Sequence, residues 1–246
     1  MSRHALWWLA TLPLLPLALP LALRARRTAL RLPIAQGEPS GIAAAHLPGA
    51  PLRLLLIGES TVAGVGVSRF DQSLASCLAA ALAERLGRPV RWRACGENGI
   101  TASQAHERLL PLALALAEPA DLALLVFGVN DTTHLTASKR WQQALAAMAD
   151  ALAARGCRVA FSAVPPLQHF SALPWLLRQL MGWRAGLLDA ELRGLSQRLG
   201  AMHCALDLPF EAHYLAEDGY HPSALGYRQW AAGLAERLTP SLQRSA

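Results

Sequence analysis

A short run of large aliphatic residues, Leu-Leu-Leu-Ile at positions 54–57, ends abruptly in Gly58, Glu59 and Ser60. Such a run with a turn signal directly after it is typical of a central parallel strand that is covered on both faces. Residues 62–67 contain only glycine, alanine and valine, so the backbone there can turn tightly and approach a ligand. Because ligands of open α/β sheets bind at the carboxyl ends of the strands, Ser60 lies where a reactive side chain is expected. On this stretch alone, Ser60 also fits a serine that caps the next turn or helix.

Strand and helix signals alternate along the rest of the chain. Predicted strands cover 53–58, 90–95, 121–127, 157–163 and 202–206, and predicted helices cover 71–86, 102–117, 138–155, 184–199 and 223–238. This alternation predicts a parallel five-stranded sheet with right-handed crossovers and helices on both faces, which is a three-layer α/β/α fold. A chain of 246 residues is long enough for one such domain with an N-terminal extension.

The first 31 residues form a distinct segment. Residues 5–23 are uncharged, mostly apolar and just long enough to span a bilayer, and Trp7 and Trp8 lie near one end, where interfacial aromatics are found. Four arginines follow immediately, which disfavours export of the residues behind them. We therefore favour an uncleaved single-pass anchor in the cell membrane within 1–31, with the folded domain on the cytoplasmic side. The alternatives are a cleaved signal that exports the domain to the periplasm and an interfacial hairpin that does not cross the membrane.

A linker and the folded domain follow this segment. Residues 32–51 are rich in proline and glycine, which predicts a linker, and we expect the domain to cover 52–240. The formal net charge of +6 comes mainly from five arginines in the first 31 residues, which contain no acid. This distribution argues against nucleic acid as a partner. The four cysteines are widely spaced and form no C-x-x-C pair, so we expect neither a metal site nor a disulfide framework.

Polar residues are expected at the same edge of the sheet as Ser60, in the segments 97–101, 127–131 and 218–222. A serine hydroxyl attacks a carbonyl poorly unless a base accepts its proton, and histidine is the usual base near neutral pH. His221 is suited to this role, and Asp218, three residues earlier in a turn, can hold the other ring nitrogen and fix the tautomer. The sequence therefore predicts a triad of Ser60, His221 and Asp218.

The tetrahedral intermediate of such a reaction needs hydrogen-bond donors aimed at its oxyanion. The backbone N–H groups of Ser60 and Gly99 and the side-chain amide of Asn130 can supply them. Gly96, three residues before Gly99, is the competing candidate.

These blocks resemble a known family. Gly58-Glu59-Ser60, Gly99, Gly128-x-Asn130-Asp131 and Asp218-x-x-His221 look like the four blocks of the SGNH, or GDSL-like, hydrolases, in the same order and over roughly residues 53–238. The resemblance implies a flavodoxin-like α/β/α fold and esterase, lipase or thioesterase chemistry without metal or organic cofactor.

The resemblance also implies the roles of individual residues. Ser60 is the nucleophile, His221 the general base and Asp218 its partner, while Gly99 and Asn130 complete the oxyanion hole with Ser60. Gly99 is preferred because Thr101 and a helix signal follow it, as in the second block of the family. Glu59 departs from the pattern, since the family usually has aspartate there.

Three functions are compatible with this pattern. The first is a membrane-anchored serine esterase that cleaves a small or lipid-like carboxylic ester or thioester through an acyl-enzyme. The second uses the same triad as an acyltransferase or a deacetylase of envelope glycans or lipids. The third, from another class, is a non-catalytic, membrane-tethered binding module. The proline-rich, apolar segment 164–183 is interpreted either as a lid or acyl-binding lip, or as an ordinary core or membrane-facing patch.

Overall fold

The computed structural model describes residues 2–206 and 210–243 of the chain. The helices are α1 (Arg3–Thr11), α2 (Leu15–Thr28), α3 (Leu74–Leu86), α4 (Ala102–Arg108), α5 (Leu110–Leu114), α6 (Val129–Thr133), α7 (Ser138–Ala153), α8 (Trp175–Leu199) and α9 (Ala224–Gln243). The strands are β1 (Ser40–Ala43), β2 (Leu52–Gly58), β3 (Val90–Gly96), β4 (Leu122–Val126), β5 (Arg158–Ser162) and β6 (Met202–Cys204).

The strands of this described part form one sheet in the order β1-β3-β2-β4-β5-β6. The pairs from β3 through β6 are parallel, so the predicted α/β fold with a five-stranded parallel sheet is confirmed. Strand β1 is an addition, because it pairs antiparallel with β3 at the edge of the sheet. It lies within 32–51, where the composition predicted only a linker. Its partner strand is distant in sequence, and a four-residue edge strand flanked by proline and glycine gives no local strand signal.

Strand β2 separates the two helical layers of the core. Successive side chains of a strand point to opposite faces, so Leu54 and Leu56 join the cluster that contains α3 and α9. Leu55 and Ile57 join the cluster that contains α4, α7 and α8. All four are at most 2% exposed. Burial on both faces fixes the position of the end of β2, and therefore that of Ser60.

Helix α8 includes residues 175–183 of the apolar segment 164–183. The chain forms a 3₁₀ turn at Leu167–His169 and is then helical from Trp175 to Leu199, so the predicted helix over 184–199 was too short. The first half of α8 contacts the domain on one side and the N-terminal segment on another. Apolar residues on several sides of a helix blur the 3.6-residue periodicity that prediction relies on.

The N-terminal segment is helical from Arg3 to Thr28 and is interrupted by a 3₁₀ turn at Leu12–Leu14. It is the one helix of the described residues that is long and apolar enough to cross a membrane, with a mean hydropathy of 1.8. Length and composition alone give this result, and a signal sequence near the N-terminus meets the same criterion. The segment also contacts the domain, because Trp7 and Ala18 are buried.

Candidate active site

Ser60 lies in a tight turn, two residues after the end of β2. The backbone N–H groups of Val62 and Ala63 donate to the carbonyl of Glu59, and that of Val65 donates to the carbonyl of Ser60. The Ser60 side chain therefore stands on a fixed backbone at the carboxyl end of a central strand. The residue is only 8% exposed, so most of its surface is shielded from water.

A chain of hydrogen bonds joins Ser60 to an acid. The Oγ atom of Ser60 lies 2.9 Å from Nε2 of His221, and Nδ1 of the same ring lies 2.6 Å from Oδ2 of Asp218. When Nδ1–H donates to the carboxylate, Nε2 is free to accept the proton of the serine hydroxyl. The structure thus brings the three residues of the predicted triad into direct contact.

Asp218 is held by its own turn. Its Oδ1 atom accepts hydrogen bonds from the backbone N–H groups of Tyr220, at 2.9 Å, and His221, at 3.0 Å. Burial by itself raises the pKa of this carboxyl, but the hydrogen bonds from His221 and Tyr220 outweigh it and leave the pKa below its usual value. Asp218 is therefore charged near neutral pH, in the form that accepts hydrogen bonds from the His221 ring and from its own turn.

The loops after β3 and β4 are connected to each other beside Ser60. Nδ2 of Asn130 donates to the carbonyl of Ile100 at 3.0 Å, and the backbone N–H of Ala102 donates to the buried carboxylate of Asp131 at 3.0 Å. An amide nitrogen carries two hydrogens, so Asn130 keeps a second N–H for a ligand. Gly99, adjacent to Ile100, lies in the same connected region.

Glu59 supports this region from the serine side. Its two carboxylate oxygens accept hydrogen bonds from the backbone N–H groups of Val129, at 3.0 Å, and Asn130, at 2.7 Å. Glu59 therefore links the serine turn to the first turn of α6. The longer side chain, where the family usually has aspartate, is accommodated as a buried bridge.

Burial raises the pKa of Glu59 to about 8, although the N–H groups of Asn130 and Val129 favour the charged carboxylate. A carboxyl whose pKa is higher in the folded than in the unfolded protein binds its proton more tightly when folded. The contribution of Glu59 to stability is therefore complete below pH 4.5, the ordinary pKa of the group, and is lost as the pH rises through about 8.

We therefore expect the melting temperature of the wild type to decrease as the pH is raised from about 5 to about 9. The decrease is expected to be less steep in Glu59→Gln, because glutamine cannot titrate. The quantity to compare is the slope of melting temperature against pH, because the substitution also changes hydrogen bonding at every pH. Thermal unfolding of both proteins across this range measures it. Glu38→Gln, at an exposed position, is the matched control and keeps the wild-type slope. An unchanged slope in Glu59→Gln would contradict the raised pKa of Glu59.

The structure distinguishes the two candidate glycines. A Cβ atom on Gly96 would lie 2.3 Å from the backbone nitrogen of Ala63, so Gly96 packs directly against the serine turn. Gly99 has a φ of +83°, and a Cβ atom there would meet nothing within 4 Å. Gly96 is thus a packing position, whereas a side chain at Gly99 would meet no neighbouring atom.

Gly96→Ala is consequently expected to destabilise the fold by about 1–3 kcal/mol, because the serine turn must move to make room. Gly99→Ala is expected to cost about 1–2 kcal/mol through its left-handed backbone, and to lower kcat/KM in addition, because the strained backbone displaces the N–H that the family resemblance implies as an oxyanion donor. Denaturant unfolding and ester hydrolysis of the two variants compare these effects. Full activity in Gly99→Ala would contradict the expectation that the Gly99 N–H is an oxyanion donor.

A narrow apolar cleft with a cavity volume of about 40 Å³ opens beside the triad. Phe170, from the segment before α8, forms part of one wall, and Tyr220 contacts both Phe170 and His221 through edge-to-face ring packing. Sequence reasoning missed several of its lining residues, which come from distant parts of the chain: Leu206, Phe210, Leu215, Tyr220 and Trp230. Of these, Tyr220 had a local signal, because it directly precedes His221.

Metal-ligating side chains do not cluster in the parts of the chain that are described: no three histidine, cysteine, aspartate or glutamate residues gather there. His203 contacts Asp189 at 2.9 Å in a second histidine–aspartate pair, which has no serine and lines no part of the cleft.

Comparison with known proteins gives consistent matches. Residues 56–229 match the model of the GDSL-like lipase/acylhydrolase family. The GDSL-like esterase Rv1075c of Mycobacterium tuberculosis is 26% identical over 183 aligned positions, and the match covers 72% of this chain and 58% of that relative. The chain thus spans less than two thirds of the length of this relative.

Solved structures show the same fold at low sequence identity. The TesA structure is 22% identical, with a TM-score of 0.62, and the match covers 76% of this chain and 98% of TesA. The psychrotrophic esterase EstA from Pseudoalteromonas sp., in a structure inhibited by monoethylphosphonate, is 16% identical, with a TM-score of 0.62. The match covers 78% of this chain and 99% of EstA. The lipase/acylhydrolase from Enterococcus faecalis is 19% identical, with a TM-score of 0.58 and coverage of 77% and 96%.

Proposed function

Because the chain belongs to the GDSL-like lipase/acylhydrolase family, we propose that it is a serine esterase that hydrolyses carboxylic esters or thioesters through an acyl-enzyme. The observation that carries the proposal is the continuous hydrogen-bonded chain from Ser60 through His221 to Asp218. A nucleophile, a base and a residue that orients the base are the minimum set for acyl transfer at neutral pH.

In the first half-reaction the Ser60 oxygen attacks the carbonyl carbon of the ester while Nε2 of His221 accepts the hydroxyl proton. Asp218 stabilises the imidazolium that forms and holds its ring in place. The tetrahedral intermediate collapses by breaking the bond to the leaving alcohol or thiol, which takes the proton from His221. The acyl group remains as an ester on Ser60.

In the second half-reaction a water molecule attacks the acyl-enzyme. His221 accepts a proton from this water and returns it to Ser60 as the carboxylic acid leaves. In both half-reactions the oxyanion receives hydrogen bonds from the N–H groups of Ser60 and Gly99 and from the free N–H of Asn130. Glu59 acts indirectly, by holding the backbone of Asn130.

The acyl part of the substrate is expected to occupy the apolar cleft. Aromatic and aliphatic side chains dominate its walls, so a hydrocarbon chain gains more there than a charged or sugar-like group. We assign the hydrolase domain to 52–240, with β1 as an added edge strand, and residues 1–31 to a membrane tether. The four arginines after the apolar run favour the cytoplasmic face over export.

The direct test is hydrolysis of a series of nitrophenyl esters of increasing acyl length by the wild type and Ser60→Ala. We expect turnover by the wild type, a preference for apolar acyl groups over acetyl, and loss of turnover in Ser60→Ala. Adding an alcohol acceptor and analysing the products separates hydrolysis from acyl transfer. A folded wild type that hydrolyses no ester or thioester would refute the proposal in favour of a binding module.

A further inference from the structure

The N-terminal segment lies antiparallel along α8 of the folded domain. His4 contacts Glu191 in the C-terminal half of α8 at 2.8 Å, and the indole N–H of Trp7 donates to the carbonyl of Leu180 at 2.9 Å. Further along, Ala18 packs in an apolar cluster with Leu180 and with residues nearer the start of α8. The contacts therefore run along the greater part of both elements.

The anchoring contacts involve buried polar groups as well as apolar packing. Trp7 is fully buried, and the guanidinium of Arg184 lies 5.1 Å from the centroid of its ring. Arg184 also donates to the carbonyl of Thr136 at 2.6 Å. Glu191 accepts a hydrogen bond from Ser138 as well as contacting His4. The segment is thus bound to the domain through groups that would be costly to leave unpaired.

These contacts are incompatible with a segment that crosses the membrane. A helix of 26 residues is about 39 Å long and would carry its docked partner into the hydrocarbon core. Helix α8 carries several ionisable residues, namely Arg178, Arg184, Asp189, Glu191 and Arg193, and each would be costly at that depth. Its other face is committed to the core through Leu188 and Leu192. Crossing therefore requires every contact with α8 to break.

The docked segment nevertheless exposes an apolar surface. Its large exposed residues are between 37% and 65% accessible: Leu6, Trp8, Leu9, Leu12, Leu15, Leu17, Leu19 and Leu23. Helix α8 adds Trp175, which is 67% exposed, and Trp183, which is 40% exposed. Leucine, tryptophan and a basic flank are the composition of interfacial helices. We define this set, from Leu6 to Leu23 with Trp175 and Trp183, as the apolar face.

Four exposed arginines follow the apolar face, and the first 31 residues contain no acid. Anionic lipid headgroups complement such a cluster, each arginine adding to the attraction. Apolar area and positive charge therefore occur together on one docked element.

From this combination we propose that the N-terminal segment does not span the bilayer, and that the apolar face and the four arginines seat the protein on an anionic membrane surface. Leu173, just before α8, and Leu176, in its first turn, pack in the same cluster as the segment, and Phe170, three residues before Leu173, lines the cleft. The membrane surface thus lies beside the rim of the cleft, where an ester dissolved in lipid can enter. This last step rests on the proposed function, whereas the seating itself does not.

Two cysteine reporters distinguish a segment that lies on the membrane surface from one that crosses the bilayer. Ser2→Cys and Thr28→Cys, made separately in the full chain, place thiols at the two ends of the segment, both at exposed positions. Right-side-out and inside-out vesicles from the expression host are treated with a membrane-impermeant maleimide. The chain without an added cysteine gives the background from the native cysteines, and detergent-lysed vesicles give full labelling.

We expect both reporters to label from the same face of the membrane. Labelling of position 2 from one face and of position 28 from the other would overturn the proposal, as would a mature chain whose mass lacks the segment. Because no turnover is measured, the result is independent of the esterase proposal.

The second arm measures binding of the Ser60→Ala protein to vesicles of phosphatidylcholine with or without phosphatidylglycerol. We expect binding to require the anionic lipid, and to weaken roughly tenfold or more when the four arginines are replaced by glutamine. The replacements are Arg24→Gln, Arg26→Gln, Arg27→Gln and Arg31→Gln. A matched variant replaces four exposed arginines of the domain, Arg69, Arg85, Arg91 and Arg108, and is expected to bind like the parent. Equal binding to both vesicle types, or equal loss in both variants, would overturn the proposal.

Discussion

Replacing His221 with alanine is expected to lower kcat/KM for an activated ester by about 10⁴- to 10⁶-fold. The Ser60 hydroxyl then loses the proton acceptor that lies 2.9 Å from its oxygen. Combining His221→Ala with Ser60→Ala is expected to add little to either change alone, because the two residues act as a unit. Steady-state kinetics of the single and double variants, with thermal unfolding to establish that they are folded, measure the effect.

The second histidine–aspartate pair supplies the control. His203 contacts Asp189 at 2.9 Å but no serine, so His203→Ala is expected to lower the melting temperature and to leave the turnover of the folded fraction within a few-fold of wild type. Asp218→Asn tests the orienting carboxylate, with an expected loss of about 10⁴-fold. An active His221→Ala, or an equal loss in His203→Ala, would show that the serine is activated in some other way.

Replacing Asn130 with alanine is expected to lower kcat by about 10²- to 10³-fold with a smaller change in KM. The amide has one N–H bonded to the carbonyl of Ile100 and a second available for the oxyanion. A donor that strengthens its bond only as charge develops on the substrate oxygen affects kcat more than substrate binding. Kinetics with a substrate series and unfolding curves for the same protein separate the two effects.

If Asn130 had a structural role alone, its replacement would change stability and the kinetic constants in a different way. If Asn130 served only to hold Ile100, Asn130→Ala would reduce stability and raise KM while kcat recovered at saturating substrate. Asn130→Asp keeps the size and places a negative charge near the oxyanion, so we expect a loss at least as large as in the alanine variant. Thr133→Ala is the matched control on α6, because its exposed hydroxyl donates to the carbonyl of Asn130, and we expect its loss to leave kcat unchanged.

The central sheet and the positions of the polar loops were predictable because their causes are local. Four aliphatic residues before Gly58 indicate a strand buried on both faces, and parallel strands direct their carboxyl ends to one edge. Residues that follow different strands, such as Ser60 and Asn130, were therefore expected near each other without knowledge of the packing. The spacing of Asp218 and His221 predicted their contact for a similar reason, since both lie in one turn. Their roles in the reaction stay predictions that kinetics must test.

Features that depend on distant partners were not predictable. Strand β1 forms because β3 offers an unpaired edge, and the walls of the cleft bring Phe210 and Trp230 next to Phe170 from separate elements. The contacts of Trp7 with α8 were equally invisible, since an apolar run near the N-terminus is compatible with a signal, a span or a docked helix. The resemblance to a family identified the blocks around the serine but carried no information about this segment.

The most direct test of the central claim is covalent labelling of the folded protein by a fluorophosphonate, followed by peptide mass analysis. An activated serine displaces fluoride and retains the phosphonyl group on its oxygen. We predict one adduct, on Ser60, which is absent from Ser60→Ala and strongly reduced in His221→Ala. A folded wild type that forms no adduct, or an adduct that persists in Ser60→Ala, would contradict the assignment of Ser60 as the nucleophile.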